Sequence, residues 1–144
     1  AEKMAGQWQT MARDGDHFRL AFDREGTWSQ KYNLVWDKVL ALKLFPASVY
    51  DTERKYYLSK IGPFGLPLDN RRTYTKLDWC VWTACLTDNR AEFEKHIAPL
   101  WRMANESPSR VPLTDWYETT DGRKVGFQAR SVVGGVFMPL LIKW

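Results

Sequence analysis

Two kinds of apolar segment alternate along this chain, and their order limits what it can fold into. Residues 31–45, 77–87 and 129–143 carry apolar side chains around most of a helical circumference. The first of these holds Leu34, Val35, Trp36, Val39, Leu40 and Phe45. Residues 1–14, 48–61 and 89–106 carry only a stripe. Met4, Trp8, Met11 and Ala12 share one face, then Tyr50, Arg54, Tyr57, Leu58 and Ile61, then Phe93, Ile97, Leu100, Trp101 and Ala104. A helix greasy all round must be buried, and a striped one lies at a surface. The pattern predicts inner and outer helices in alternation, repeating roughly every 45–50 residues, as in helical-pair architectures.

The connections differ in length. Inner helices pass to outer ones through tight turns at Phe45-Pro46-Ala47 and Thr87-Asp88-Asn89. Outer helices return through long segments, 15–30, 62–76 and 107–128. In an antiparallel array, connections of one kind share one end. The three long ones are therefore expected at a common mouth, with the N-termini of the inner helices and their free N–H groups. A short β-hairpin is expected over 17–29, turning at Asp23-Arg24-Glu25-Gly26, and Tyr117-Glu118-Thr119 is expected to pair with Val125-Gly126-Phe127. Pro99 is expected to kink the helix of 89–106.

At 144 residues the chain is one domain by size. It is mainly all-α, and the expectation is a single helical domain over 1–144. The net charge of +4 is scattered, with no nucleic-acid motif, so a nucleic-acid partner is not expected. The longest apolar run, Val132 to Ile142, is too short to span a bilayer and holds Gly134, Gly135 and Pro139, so no membrane partner is expected either. Cys80 and Cys85 point roughly 140° apart on a helix turning about 100° per residue, and both read as small core residues. His17 and His96 have no ligand spacing, so neither a metal nor another cofactor is expected. The chain enters helical periodicity at once from Ala1, as a piece cut from a longer chain would.

The long connections hold the chemistry. Asp69, Asp78 and Asp115 are the candidate acids and bases. Arg71, Arg72 and Arg130 suit a bidentate grip on a carboxylate. Lys76, Tyr74 and Tyr117 are candidate proton donors, and Thr75 and Thr114 place hydroxyls near acids. No Gly-x-Ser-x-Gly elbow or Cys–His pair supports a covalent route. Each candidate has a plainer reading: Asp78 as a partner of its helix's first turn, Asp69 as a partner of Arg71 or Arg72, Asp115 as a turn residue, Arg130 as a donor to loop carbonyls, and Gly134-Gly135 as room for close packing.

Five motifs in order carry a resemblance. They are Trp28-Ser29-Gln30-Lys31-Tyr32-Asn33-Leu34-Val35-Trp36-Asp37, Gly65-Leu66-Pro67-Leu68-Asp69-Asn70-Arg71, Tyr74-Thr75-Lys76-Leu77-Asp78-Trp79, Pro112-Leu113-Thr114-Asp115-Trp116-Tyr117 and Ala129-Arg130-Ser131-Val132-Val133-Gly134-Gly135. From Trp28 onward the chain resembles the C-terminal region of the glutaminase A-like proteins, which are large secreted fungal and bacterial chains. The resemblance implies part of an α/α toroid of the six-hairpin type, in a longer parent with further domains. It implies a secreted or periplasmic location and hydrolysis of L-glutamine to L-glutamate and ammonia by that parent. The chain alone is expected to be inactive and, with faces uncovered, to self-associate. A competing reading is carbohydrate chemistry, with Trp79, Trp82 and Trp116 as stacking platforms and paired carboxylates. A third is a non-catalytic structural piece. Expected partners are a small amino-acid amide or sugar and the remaining domains of the parent.

Overall fold

The computed structural model describes residues 1–142, and the fold is mainly helical with two short antiparallel strand pairs. Helix α1 (Glu2–Ala12) runs into β1 (Arg13–Asp14), which pairs with β2 (His17–Phe18). Gly15, with φ +57°, takes the first central position of that turn, a conformation glycine adopts at no steric cost. The hairpin therefore lies earlier than expected, and 19–29 runs on as loop. A 3-10 turn (Tyr32–Leu34) leads into α2 (Val35–Val39), α3 (Ala47–Leu58) follows, and β3 (Tyr74–Lys76) feeds α4 (Leu77–Ala84). α5 (Arg90–Glu106) continues through Pro99. β4 (Trp116–Glu118) precedes a 3-10 segment, Ser131–Leu141.

α4 is the centre of the molecule. Leu77, Cys80, Val81 and Ala84 are buried, and the terminal 3-10 segment, α5 and the Tyr32–Leu34 turn all pack on it. Each such side chain withdrawn from water contributes about 1.5–3 kcal/mol for the larger residues. Both cysteines are free and buried, as their apolar neighbours required.

Two inner helices differ from expectation. The one expected over 31–45 ends at Val39, because Ala41 and Lys43 take positive φ and the Asp37 carboxylate accepts from the N–H groups of Leu44 and Phe45 at 2.9 and 3.3 Å. A side chain that satisfies the backbone beyond it competes with further helix. The segment expected as a buried helix over 129–143 is 3-10 from Ser131 to Leu141, and its Phe137, Leu140 and Leu141 are exposed. Its final expected residue, Lys143, lies outside the described residues. Gly134, Gly135 and Pro139 weaken α-helix here, and runs of 3-10 this long are uncommon.

The stripes also shift. α1 buries Ala5 and Ala12 while Met4 and Met11 are exposed. α3 turns Val49, Glu53 and Tyr57 inward, leaving Leu58 partly out. α5 buries Phe93, His96, Leu100 and Met103 and leaves Trp101 in solvent. In α3 and α5 the inward face includes a polar residue, which a count of apolar positions misplaces. Among the described residues no helix is long and apolar enough to cross a membrane.

Candidate functional site

The long connections meet. The Trp28 N–H donates to the Asn70 Oδ1 at 3.0 Å, the Gln30 N–H donates to the Leu68 carbonyl at 2.8 Å, and Ser29 bridges Asp69. That joins 15–30 to 62–76. Strands β3 and β4 pair antiparallel, Thr75 opposite Tyr117, which joins 62–76 to 107–128. The Tyr117-Glu118-Thr119 segment was expected to pair locally. Its main partner is instead β3, while its other edge takes the Arg123–Val125 turn, with the Glu118 N–H donating to the Arg123 carbonyl at 2.9 Å.

On one side of this mouth lies an ion cluster. Asp115 is fully buried and accepts from the Lys76 Nζ at 3.1 Å and from the Nε of Arg130 at 3.1 Å, with a second, shorter bond from the Arg130 Nη2. Burial pushes its carboxyl up, but the hydrogen bonds and charges of Arg130 and Lys76 outweigh this and hold it below the ordinary range. The plainer reading of Asp115 as a turn residue gives way to an anchor for two cations. Lys76 also lies 4.5 Å over the Trp116 ring, and Arg130 lies 4.0 Å over Phe127.

Asp78 sits in the first turn of α4, beneath Gly135 of the terminal segment. It is 6% exposed, and its Oδ1 is buried without a hydrogen-bond partner. Desolvation raises its pKa, against the pull of the Asp78 and Trp79 N–H groups and Lys76, while the Asp115 charge adds to the rise. Two carboxylates in one cluster are thus driven in opposite directions. The packing reading holds for Gly135, where an added Cβ would meet the Asp78 Cβ at 2.7 Å, and not for Gly134, which has nothing within 4 Å.

On the other side is a cavity of about 610 Å³. Asp69, Arg71 and Trp79 line it. Asp69 is buried and gripped by Arg71 through Nε at 3.0 Å and Nη2 at 2.7 Å; burial raises its pKa, and the Arg71 hydrogen bonds and charge bring it below the usual value. Tyr32, part of the first motif but not among the candidate site residues, lies between the two sides in its contacts. Its ring lies on Trp79, centroids 4.1 Å apart and planes 7° apart, and it lines the cavity. Desolvation and the charge of Asp78 raise its phenol.

Several predicted site residues fall elsewhere. Tyr117 is in the core, its hydroxyl buried and unpaired, and cannot serve the mouth. Thr75 is also in the core, against the Cys80 Sγ at 3.0 Å. Thr114 is buried, its hydroxyl bonded to the carbonyls of Trp116 and Phe127. Arg72 is exposed and Tyr74 packs edge-on to Trp116. The proposed sugar platforms are engaged: the Trp82 Nε1 donates to the Gly135 carbonyl at 3.0 Å, and Trp116 is flanked by Lys76, Tyr74 and Phe127.

A polar knot under the cavity also escaped sequence reading. The Lys31 Nζ donates to the Phe18 carbonyl, the Ser29 carbonyl and the Ser29 hydroxyl at 2.9–3.0 Å. Glu53 accepts from the Phe18 N–H at 2.7 Å and from the Tyr57 hydroxyl, which itself accepts the Lys31 N–H at 2.7 Å. Burial lowers the Lys31 pKa and raises that of Glu53. The signal available was Glu53 at the i+4 spacing from Val49 and to Tyr57 on α3, which places a carboxylate on the inward face.

Comparison with known proteins agrees with this architecture. The family described as the glutaminase A six helical-hairpin domain matches residues 1–140. The chain is 36% identical over 149 aligned positions to a protein named Glutaminase A of Aspergillus oryzae, covering 99% of this chain and 21% of that protein. It is 32% identical over 164 positions to a protein named "Probable glutaminase" of Arthroderma benhamiae, covering 92% of this chain and 19% of that protein. The chain thus spans about a fifth of the length of these relatives. No solved structure matches it significantly. On the family match and these identities, the chain belongs to the glutaminase A six helical-hairpin domain family.

Proposed function

We propose that this chain supplies one wall of an amide-hydrolysing site of the glutaminase type, in an α/α toroid completed by further hairpins of a longer, secreted protein. The 144-residue chain by itself does not turn over glutamine. The observation that carries the reading is the divergence of Asp78 and Asp115. Paired carboxyl groups whose environments separate their proton affinities divide acid and anion roles between them. Asp78, its pKa raised by burial and one oxygen unpaired, is the better suited of the two to carry and donate a proton. Asp115, paired with Lys76 and Arg130, remains charged and positions them. In the reaction, a water oxygen bonds to the amide carbon and the C–N bond breaks. The nitrogen leaves as ammonia with the Asp78 proton, and a proton from the water returns to Asp78. Lys76 and Arg130 offset negative charge on the carbonyl oxygen as it develops.

The test is ammonia release from L-glutamine by the full-length protein and its Asp78→Asn variant. The variant is expected to lose activity by about 100-fold or more, the usual contribution of a positioned acid. Wild-type turnover by Asp78→Asn ends the assignment. Measurable turnover by the isolated chain ends the claim that other hairpins are required.

A further inference from the structure

We propose that the cavity beside Arg71 binds an amphipathic monoanion, a carboxylate carried on an apolar or aromatic body of the size of an N-acylated amino acid. Resting on the amide reading, this makes the preferred substrate an amide whose α-amine is blocked by an apolar group, and not free glutamine.

The walls set the body of the ligand. At about 610 Å³ the cavity falls within the range of small-molecule sites, and Trp8, Leu34, Leu44, Phe45 and Leu68 form its sides. Glutamine has two methylenes to set against them and would leave most of that surface wet.

The charged groups set the ends. Four line the cavity: Lys31, Asp37, Asp69 and Arg71. Lys31 has three ammonium protons, and all three are donated to Phe18 and Ser29. Asp37 accepts from Leu44, Phe45 and the Tyr50 hydroxyl, the last at 2.6 Å. Both oxygens of Asp69 are held by Arg71. Arg71 alone has a free edge: its Nη1 has no partner among the described residues, and its side chain is 62% exposed. A ligand entering here finds one free guanidinium N–H edge to donate to a carboxylate, while both lining carboxylates are buried and already accept hydrogen bonds from the chain. An amino acid with its amine capped meets that asymmetry; a zwitterion does not. Tyr32, flat on Trp79, lines this cavity and is close enough to Asp78 for that charge to raise its phenol, so the cavity adjoins the proposed acid across one aromatic pair.

The experiment titrates the chain with N-benzoyl-L-glutamine, L-glutamine and benzamide, reading tryptophan fluorescence and calorimetric heat. N-benzoyl-L-glutamine is expected to bind at least about tenfold more tightly than L-glutamine, from the apolar area it buries. Arg71→Gln is expected to weaken N-benzoyl-L-glutamine by about two- to fivefold, as an exposed charged contact does, and to leave benzamide unchanged. Leu44→Gln acts on the wall and weakens N-benzoyl-L-glutamine and benzamide together. Circular dichroism establishes that each variant is folded. Equal affinity for L-glutamine, no response to Arg71→Gln in a folded variant, or no binding at millimolar concentration overturns the proposal. Binding is measured without turnover, so it survives a failure of the Asp78 assignment. Conversely, ammonia release that favours free glutamine in the full-length protein overturns the substrate preference while leaving Asp78 in place.

Discussion

Gly135 lies so close to Asp78 that a methyl group added at residue 135 would come within 2.7 Å of the Asp78 Cβ and 3.1 Å of the Trp82 Nε1. The Asp78 Cβ is fixed by the first turn of α4, so relief requires the terminal segment to lift. Gly135→Ala is expected to destabilise by about 1–3 kcal/mol, the cost of overpacking. Gly134→Ala, with open space around it, is expected to stay within about 0.5 kcal/mol of wild type. Urea denaturation of both separates the two glycines. Equal effects would falsify the close-approach account.

Asp115→Asn removes the anion that serves two cations at once. Its site is fully buried and Lys76 is largely so, and the loss is expected to cost about 2–4 kcal/mol. Arg130→Gln is expected to cost no more than about 1 kcal/mol, since the Arg130 side chain is 36% exposed and Asp115 keeps Lys76. Chemical denaturation should rank them in that order; the reverse order would show that Arg130, and not Asp115, holds the cluster.

His96 gives the chain an acid sensitivity above the carboxylate range. Burial, aided by the charge of Arg54, depresses its pKa from 6.5 to about 4. The unfolded chain therefore takes up this proton first as pH falls. The stability this histidine contributes is complete above about 6.5 and is lost toward pH 4. Between pH 7 and 5 the loss is expected to be about 1–2 kcal/mol. Asp78 and Glu53, whose pKa values are raised, act with the opposite sign in acid: their contribution is full below their unfolded values and is lost as pH rises. The comparison must thus be with His96→Gln, in which the loss between pH 7 and 5 should shrink by that amount. An unchanged pH profile in that variant would assign the effect elsewhere.

Tyr57→Phe strikes the polar knot around Lys31. It leaves Glu53 without one donor and the Lys31 N–H without its acceptor, and a cost of about 1–3 kcal/mol is expected. Thermal melting checks it. A neutral result would mean that water replaces the hydroxyl.

The alternation of inner and outer segments was legible because burial on all sides and burial on one side leave different periodicities. It located α4, α5 and the meeting of the three long connections. It failed at Ala41 and Lys43, where Asp37 turns the backbone out of helix, and over 131–141, where two glycines and Pro139 outweigh apolar content. It also failed where the inward face is polar, at Glu53 and His96, since a buried charge with partners leaves no mark in hydropathy. Of the candidate acids, Asp78 and Asp115 are joined in one cluster, and Asp69 lies across Tyr32 and Trp79. Tyr117 and Thr75 were misplaced because strand alternation points them inward, and the strand's true partner lies some forty residues away in sequence; Thr114, ahead of the strand, is buried by its hydroxyl's bonds to the Trp116 and Phe127 carbonyls.

The splice between β3 and β4 bears on how this domain comes apart. Lys76 lies opposite Trp116, next to Asp115, only while those two strands stay paired, so the Lys76 half of the cluster depends on that pairing. A single protease cut in the exposed stretch between Pro108 and Val111 would unmoor the second strand without touching any helix. Secondary structure would persist, and the acid pair would be gone.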